Sequence, residues 1–468
     1  MVEMIELDEK VINWDIDKLS EAIRSRNISP IEVTKKVLNR IHVVNAKLNA
    51  YITVLDEHAL AAAKKAESEI MRGEIRGPLH GIPIGLKDFI FTKDIRTTMG
   101  SSIYKDFYPS YDASVVTRLH QAGAIMIGKL NTHEFAYGTT GDSSYFGPVR
   151  NPHNLAKITG GSSSGSGAAV ASQLCYASLG TDTGGSIRIP SAFCGIVGMK
   201  PTYGRVSKWG GYPLCQSLDH IGPMTRTVKD NAIVLNAIAG YDAKDESSVN
   251  RKNESFTEAM NDGVKGTVIG IPTSFYFDDL QDGIREEIEK VIQLYKELGA
   301  EIRYINIEGM EDISQAFQTV LRSEAYATHK LHIKNHSHEW NGEVKSRLQQ
   351  GESVKAHDYI QALEIKKQAI LQFNQIFEEV DAIMTPVTSI YPTNLHEREI
   401  EVNGAKKHIF SILNRLTGPT NLTGLPSISV PFKASGGELP NGFQLIGKAF
   451  GESDLYRIAY AYEQEIGI

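Results

Sequence analysis

Cysteine is scarce: Cys175, Cys194 and Cys215 are the only three in 468 residues. They show no C-x-x-C spacing. An odd count does not close into a disulfide framework, so reduced thiols of a cytoplasmic protein are expected. Long apolar runs are missing too. No stretch of about 18 apolar residues exists, so no spanning helix and no membrane association is expected. The start, MVEMIELDEKVINW, lacks the basic lead and apolar core of a secretory signal. Positive charge is also short. The net charge is −7, which gives no basic footprint for nucleic acid. No proline-rich or long Gly/Ser tract marks a domain linker, and no fixed-period repeat recurs. What remains is a composition that is 41% hydrophobic and 22% charged, in a chain long enough for a large core. One domain over 1–468 is the expectation.

Helix signals open the chain. DIDKLSEAIRSR carries apolar residues at helical spacing. SPIEVTKKVLNRIHVVN restarts the pattern, with Ser29 as N-cap and Pro30 at the first helical position. Residues 56–72 are Ala-rich and helical in pattern. GPLHGIPIGLKDFI is short, apolar and broken by Gly and Pro, which suits a strand running into a loop. TVKDNAIVLNAIAG predicts a helix capped by Thr227 and stopped by Gly240. TVIGIP, EIRYINI, DAIMTPV, SISVPF and GFQLIGKAF read as strands, and 311–379 as a long helical stretch. Strands alternate with helices throughout. That pattern predicts an α/β fold, a large mixed but mostly parallel twisted sheet covered by helices on both faces.

The stretch KITGGSSSGSGAAVA, residues 157–171, carries the chemical signal. A flexible linker would be longer and flanked by polar residues. A phosphate loop needs the G-x-x-x-x-G-K-[ST] spacing and its lysine, which are absent. Ser163 formally centres a G-x-S-x-G elbow, but no late histidine sits after a clean strand beside an acid. Two other glycine-rich turns matter. HGIPIGLKDFI holds Lys87 in an apolar setting, and GTDTGGSIRIPSAFCGIVGMKPT ends its Gly-Gly-Ser at Ser186.

Lys87, Ser162 and Ser186, with their separations and flanks, resemble the amidase signature family. The likeness runs from about residue 15 to the C-terminal GFQLIGKAFGESDLYRIAYAYE. It implies the amidase signature fold, with an N-terminal helical part (1–75) and a signature core (76–240). A variable part (241–380) and C-terminal strands and helix completing the core (381–468) follow. It implies that Ser186 attacks a carboxamide, that Ser162 bridges the proton through a cis peptide after Gly161, and that Lys87 is the base. It implies no cofactor and no metal. A lysine of ordinary pKa near 10.4 works as a base only if burial lowers it, by up to roughly 3–5 units. The flanks IPIGL and FIF supply such surroundings, provided Asp88 points away. The glycine-rich turn suggests an oxyanion hole from the backbone N–H groups of Thr183, Gly184, Gly185 and Ser186 itself. Tyr137, Gly138, Thr139 and Ser163 are the candidate substrate contacts. Asp182 and Arg188 are expected to pair as scaffold, and Cys194 to fill space. His329, His332, His336 and His338 complete no ligand set and are expected to be solvated.

Within the family the fork lies between stand-alone amidases and the glutaminase A subunit of the tRNA-dependent amidotransferase. The N-terminal half, with GSIRIPSAFCGIVGMKPTYGRVS, is close to that subunit. The later half departs. Asn414 stands where the subunit carries an aspartate for the glutamine ammonium, and Phe317-Gln318 where it carries paired tyrosines. Arg347 matches its carboxylate-binding arginine. The loss of the ammonium anchor favours a stand-alone amidase acting on a small-molecule amide and releasing ammonia or an amine. A homodimer is compatible with this reading. Partner subunits are expected only under the amidotransferase alternative. A non-catalytic scaffold, the third reading, would lose nothing on Ser186→Ala.

Overall fold

The computed structural model describes residues 11–252, 254–433 and 439–467. Ser29 caps the helix Pro30–Leu48 through a reciprocal box with Glu32, and Pro30 takes the first turn, as its sequence predicts. Thr227 caps Val228–Ile238 by accepting from the Asp230 N–H. The stretch 311–379 divides into three helices, Met310–Asn335, Gly342–Gln349 and Ala356–Ile376.

Eleven strands form one sheet. In spatial order they are Tyr51–Val54, Ile125–Leu130, Pro83–Lys87, Ala177–Asp182, His220–Thr225, Val197–Lys200, Ser427–Pro431, Gly442–Gly447, Ala382–Pro386, Val268–Pro272 and Glu301–Ile305. Two parallel trios carry the expected α/β pattern: 125–130 with 83–87 and 177–182, and 382–386 with 268–272 and 301–305. The other joints are antiparallel. The parallel share is smaller than the alternation of strands and helices suggests, and the connections explain it. Residues 201–219 form no helix, and 427–431 and 442–447 lie too close in sequence for a crossover.

Helices cover both faces. Ala382 and Met384 join one apolar cluster while Ile383 between them joins another, as the two-residue strand period requires. The helices 310–335 and 356–376 pack in the second cluster. The strands ending in Lys87 and Asp182 are parallel neighbours, so both deliver their last residues to one edge of the sheet. Carboxyl ends of parallel strands are where α/β sheets place ligands. Among the described residues no helix is long and apolar enough to cross a membrane.

Candidate active site

Lys87 ends its strand with no exposed surface. Its Nζ donates to Ser162 Oγ at 2.7 Å and to Thr181 Oγ1 at 2.6 Å. Burial brings the amine down to about 7, against the upward pull of the Asp182 and Asp219 carboxylates. Asp88 turns the other way. Its Oδ2 accepts from the Thr98 N–H at 2.8 Å, and its Oδ1 lies 3.8 Å from Lys129 Nζ. Adjacent residues of a strand face opposite sides, which keeps this carboxylate from charging the lysine.

The peptide Gly161–Ser162 is cis. The Ser162 carbonyl accepts from the His133 N–H at 3.2 Å and the Thr132 hydroxyl at 2.9 Å. The Gly161 N–H donates to the Thr139 carbonyl at 2.7 Å. The turn is therefore fixed from both sides. Ser186 stands across from it, 5% exposed, and its carbonyl accepts from the Ser163 N–H at 3.2 Å. Among the described residues Ser186 Oγ makes no hydrogen bond, which leaves it free to turn toward a substrate carbonyl. Catalytic hydrogen bonds often close only in the substrate complex.

Asp182 shapes the turn that carries Ser186. Its carboxylate accepts from the N–H groups of Gly185 (2.7 Å) and Ile187 (3.1 Å). Arg188 clamps it with two bonds, 3.1 Å from Nε and 3.0 Å from Nη2. Burial pushes this carboxyl up, and the guanidinium overrides that and holds it well below the carboxylate range. The remaining Arg188 donors go to Thr420, Gln444, Thr417 and Asn421. The pair is a buried scaffold, as its sequence context suggests.

The N–H groups of Thr183, Gly184 and Ser186 meet no acceptor among the described residues. Gly185 corrects an expectation: its N–H is already held by Asp182, so it is not a free oxyanion donor. Glycine is needed there for another reason. Its φ is +120°, and a Cβ would lie 2.3 Å from Thr417 Oγ1. That same hydroxyl donates to the Gly184 carbonyl at 2.7 Å and sets the peptide plane.

The candidate substrate contacts separate. Tyr137 lines a cavity of about 590 Å³ with Gln318, Arg347, His408 and Phe410. Gly138 and Thr139 lie behind its wall. A Cβ on Gly138 would sit 2.1 Å from His133 Nε2, and Thr139 is tied to Gly161 as above. Ser163 is neither nucleophile nor substrate contact. It is buried, its hydroxyl donates to the Thr181 carbonyl at 3.1 Å, and it accepts from the Thr181 N–H at 3.2 Å.

Arg347 donates to the Tyr137 carbonyl at 2.8 Å and stacks 4.6 Å from the Tyr137 ring and 4.0 Å from that of Phe410. Among the described residues it forms no salt bridge. Asn414 and Gln318, the two departures from the amidotransferase pattern, meet each other: Gln318 Nε2 donates to Asn414 Oδ1 at 3.1 Å. Phe317 is buried, with its ring at the place a Gly184 Cβ would take.

Thr181, Thr417, Asp219 and Phe317 escaped the sequence reading. Only the position of Thr181 and Asp182 at the end of a strand, just before the glycine turn, hinted at a role. The histidine expectation is also corrected in part. His329 is buried, 4.9 Å from the Phe135 ring, and His332 meets the Tyr104 hydroxyl at 3.0 Å, because the long helix turns both toward an aromatic cluster. Cys194 is buried, and burial pushes its thiol up, as befits a filler. Among the described residues no group of three or more His, Cys, Asp or Glu could hold a metal ion.

Known proteins share this arrangement of chain. The A chain of the glutamyl-tRNA(Gln) amidotransferase of Geobacter sp. (strain M21) is 39% identical over 481 residues, covering 97% of this chain and 98% of its own. A solved structure from a vestigial protein complex, bearing on the origins of an s-triazine catabolic enzyme, superposes with a TM-score of 0.93. It has 30% identity over 97% of this chain and 99% of its own. The corresponding glutamyl-tRNA(Gln) amidotransferase polypeptide of Thermotoga maritima superposes with a TM-score of 0.81 at 31% identity, covering 97% and 95% of the two chains. The amidase family profile matches residues 32–456. With that match over nearly the whole sheet and over all three turns that meet at Lys87, this chain belongs to the amidase family.

Proposed function

We propose that the chain hydrolyses a carboxamide to a carboxylate and ammonia or an amine through an ester on Ser186. The single observation that carries this is the buried contact of Lys87 Nζ with Ser162 Oγ at 2.7 Å, with the amine brought near 7. A lysine neutral at working pH takes a proton, and a hydroxyl passes it on because it donates and accepts at once. Ser186 Oγ attacks the amide carbon and its proton moves through Ser162 to Lys87. The free N–H groups of the 183–186 turn receive the oxyanion; one such donor is worth about 10²–10³ in rate. The proton returns to the leaving nitrogen, and water hydrolyses the ester by the same path.

Arg347 supports a substrate that carries a carboxylate. A guanidinium stacked between two rings with no acid partner is a bidentate anion receptor. The relatives support the glutaminase component of the amidotransferase, the alternative above, better than a lone amidase, and they imply partner subunits. The neutral Gln318–Asn414 pair is the one feature that speaks against glutamine as its substrate. Ammonia and amine release by the purified chain tests the reading, on glutamine, asparagine and succinamate, with Ser186→Ala as control. Turnover without partners, abolished by the substitution, supports a stand-alone amidase. Turnover of glutamine only with added amidotransferase partners supports the glutaminase setting. Turnover that survives Ser186→Ala refutes the acyl-enzyme.

A further inference from the structure

Two cavities reach residues that touch the catalytic groups, and they share no wall residue. The first begins at Tyr137. The second measures about 670 Å³. Thr181 and Asp219 line it. Thr181 accepts from Lys87 Nζ at 2.6 Å, and Asp219 accepts from the Thr183 hydroxyl at 2.6 Å. The other walls are aromatic: Phe89, Tyr203, Trp209 and Tyr212. Phe89 and Tyr212 meet edge to face with centroids 5.6 Å apart, and Trp209 stays 40% exposed at the mouth.

A tetrahedral carbon on Ser186 carries its acyl chain and its leaving nitrogen on separate bonds, so the two need separate room. The nitrogen must end close to the proton held between Lys87 and Ser162. The cavity that reaches Thr181 adjoins the lysine. The Tyr137 cavity joins the catalytic turn elsewhere, through Thr139 and Gly161. Ammonia needs almost no space, whereas this cavity falls within the roughly 300–1,000 Å³ typical of organic ligands. Its acid is spent: Asp219 also accepts from the Leu214 and Cys215 N–H groups at 2.9 and 3.0 Å. The walls therefore suit an uncharged aromatic ring better than an alkylammonium.

We propose that the second cavity holds the amine half of the substrate, and that the chain cleaves N-aryl amides as well as primary ones. The inference rests on the Ser186 acyl-enzyme and is indifferent to whether partner subunits exist. The step balances without a further reactant. The C–N bond breaks as the Ser186 Oγ–C bond forms, and the serine proton passes through Ser162 and Lys87 to the nitrogen, which departs as the neutral arylamine. Water then converts the ester to carboxylate and restores Ser186.

The test uses two probes on the full chain. The first is 4-fluoroaniline, followed by ¹⁹F line broadening. Broadening by the wild type and by Ser186→Ala, weakened about tenfold in Trp209→Ala, is expected. No broadening, or broadening that Trp209→Ala leaves intact, overturns the assignment. The second compares kcat/KM on amide pairs with a common acyl group: succinamate with N-phenylsuccinamate, and glutamine with its γ-anilide. Trp209→Ala should cut the anilide rate about tenfold, and the primary amide rate by less. Equal losses, or turnover of primary amides alone, overturn it. Binding of 4-fluoroaniline at Trp209 with neither amide of any pair turned over counts against the acyl-enzyme and leaves the cavity assignment standing.

Discussion

Acidification through pH 7 should switch this enzyme off, and the size of the effect follows from the setting of Lys87. Its amine is fully buried and sits near 7 instead of the ordinary value of a lysine. At pH 7 about half the molecules hold a neutral base, and at pH 5 about one in a hundred. An unperturbed lysine near 10.4 would be neutral in fewer than about one molecule in a thousand at pH 7. The assay is kcat/KM against pH from 5 to 10, on an amide that does not itself titrate in that range, since this ratio reports the free enzyme. A rise of about tenfold per unit from pH 5 to 7, then a plateau, is expected. Thr181→Val removes an acceptor 2.6 Å from Nζ that favours the ammonium form, so the midpoint should move to lower pH. Stability carries the same signature. Between about 7 and 10.4 the unfolded chain binds more protons at this site than the folded one, so unfolding free energy rises with pH there by up to about 1.4 kcal/mol per unit. A rate that keeps climbing to pH 10, or one that is flat from 5 to 7, refutes Lys87 as the base.

Other substitutions probe the frame of the site. Ser186→Ala should abolish turnover by several orders while leaving circular dichroism and melting unchanged. Arg188→Leu strands the buried Asp182 carboxylate and should cost about 3–5 kcal/mol in urea unfolding; a loss below about 1 kcal/mol would show that the clamp is not needed. Gly138→Ala drives a Cβ to 2.1 Å from the His133 ring, so activity should fall far more than thermal stability, through displacement of the turn at Gly161. Asn414→Asp places a carboxylate beside Gln318 and should raise kcat/KM on glutamine about tenfold or more. No gain on glutamine would show that the Gln318–Asn414 pair does not set the ammonium preference.

Much of this was legible without coordinates, for a reason of scale. Helix caps at Ser29 and Thr227 work over three residues, so their signals are local. The three glycine-rich turns carry their own spacing and flanks, and that is why Lys87, Ser162 and Ser186 stand out. The role of Ser163 was not legible, because the same Ser-rich tract allows an elbow, a substrate contact or a strut, and only the Thr181 backbone beside it decides. Gly185 likewise reads as a donor until Asp182 is seen to hold its N–H. The histidines 329 and 332 look solvated in a polar sequence, yet the long helix turns them toward Phe135, Tyr104 and Tyr212.

By itself the sequence determined an α/β chain with a serine, a bridging serine and a lysine in glycine-rich turns, since propensity, capping and turn chemistry are properties of neighbours along the chain. The tertiary structure decided the rest. It removed water from Lys87 and so made it a base. It set Gln318 against Asn414 across almost a hundred positions. It opened one cavity at Tyr137 and another at Thr181. Desolvation, cross-chain pairing and enclosed space arise only when distant segments meet, which no local stretch of sequence can specify.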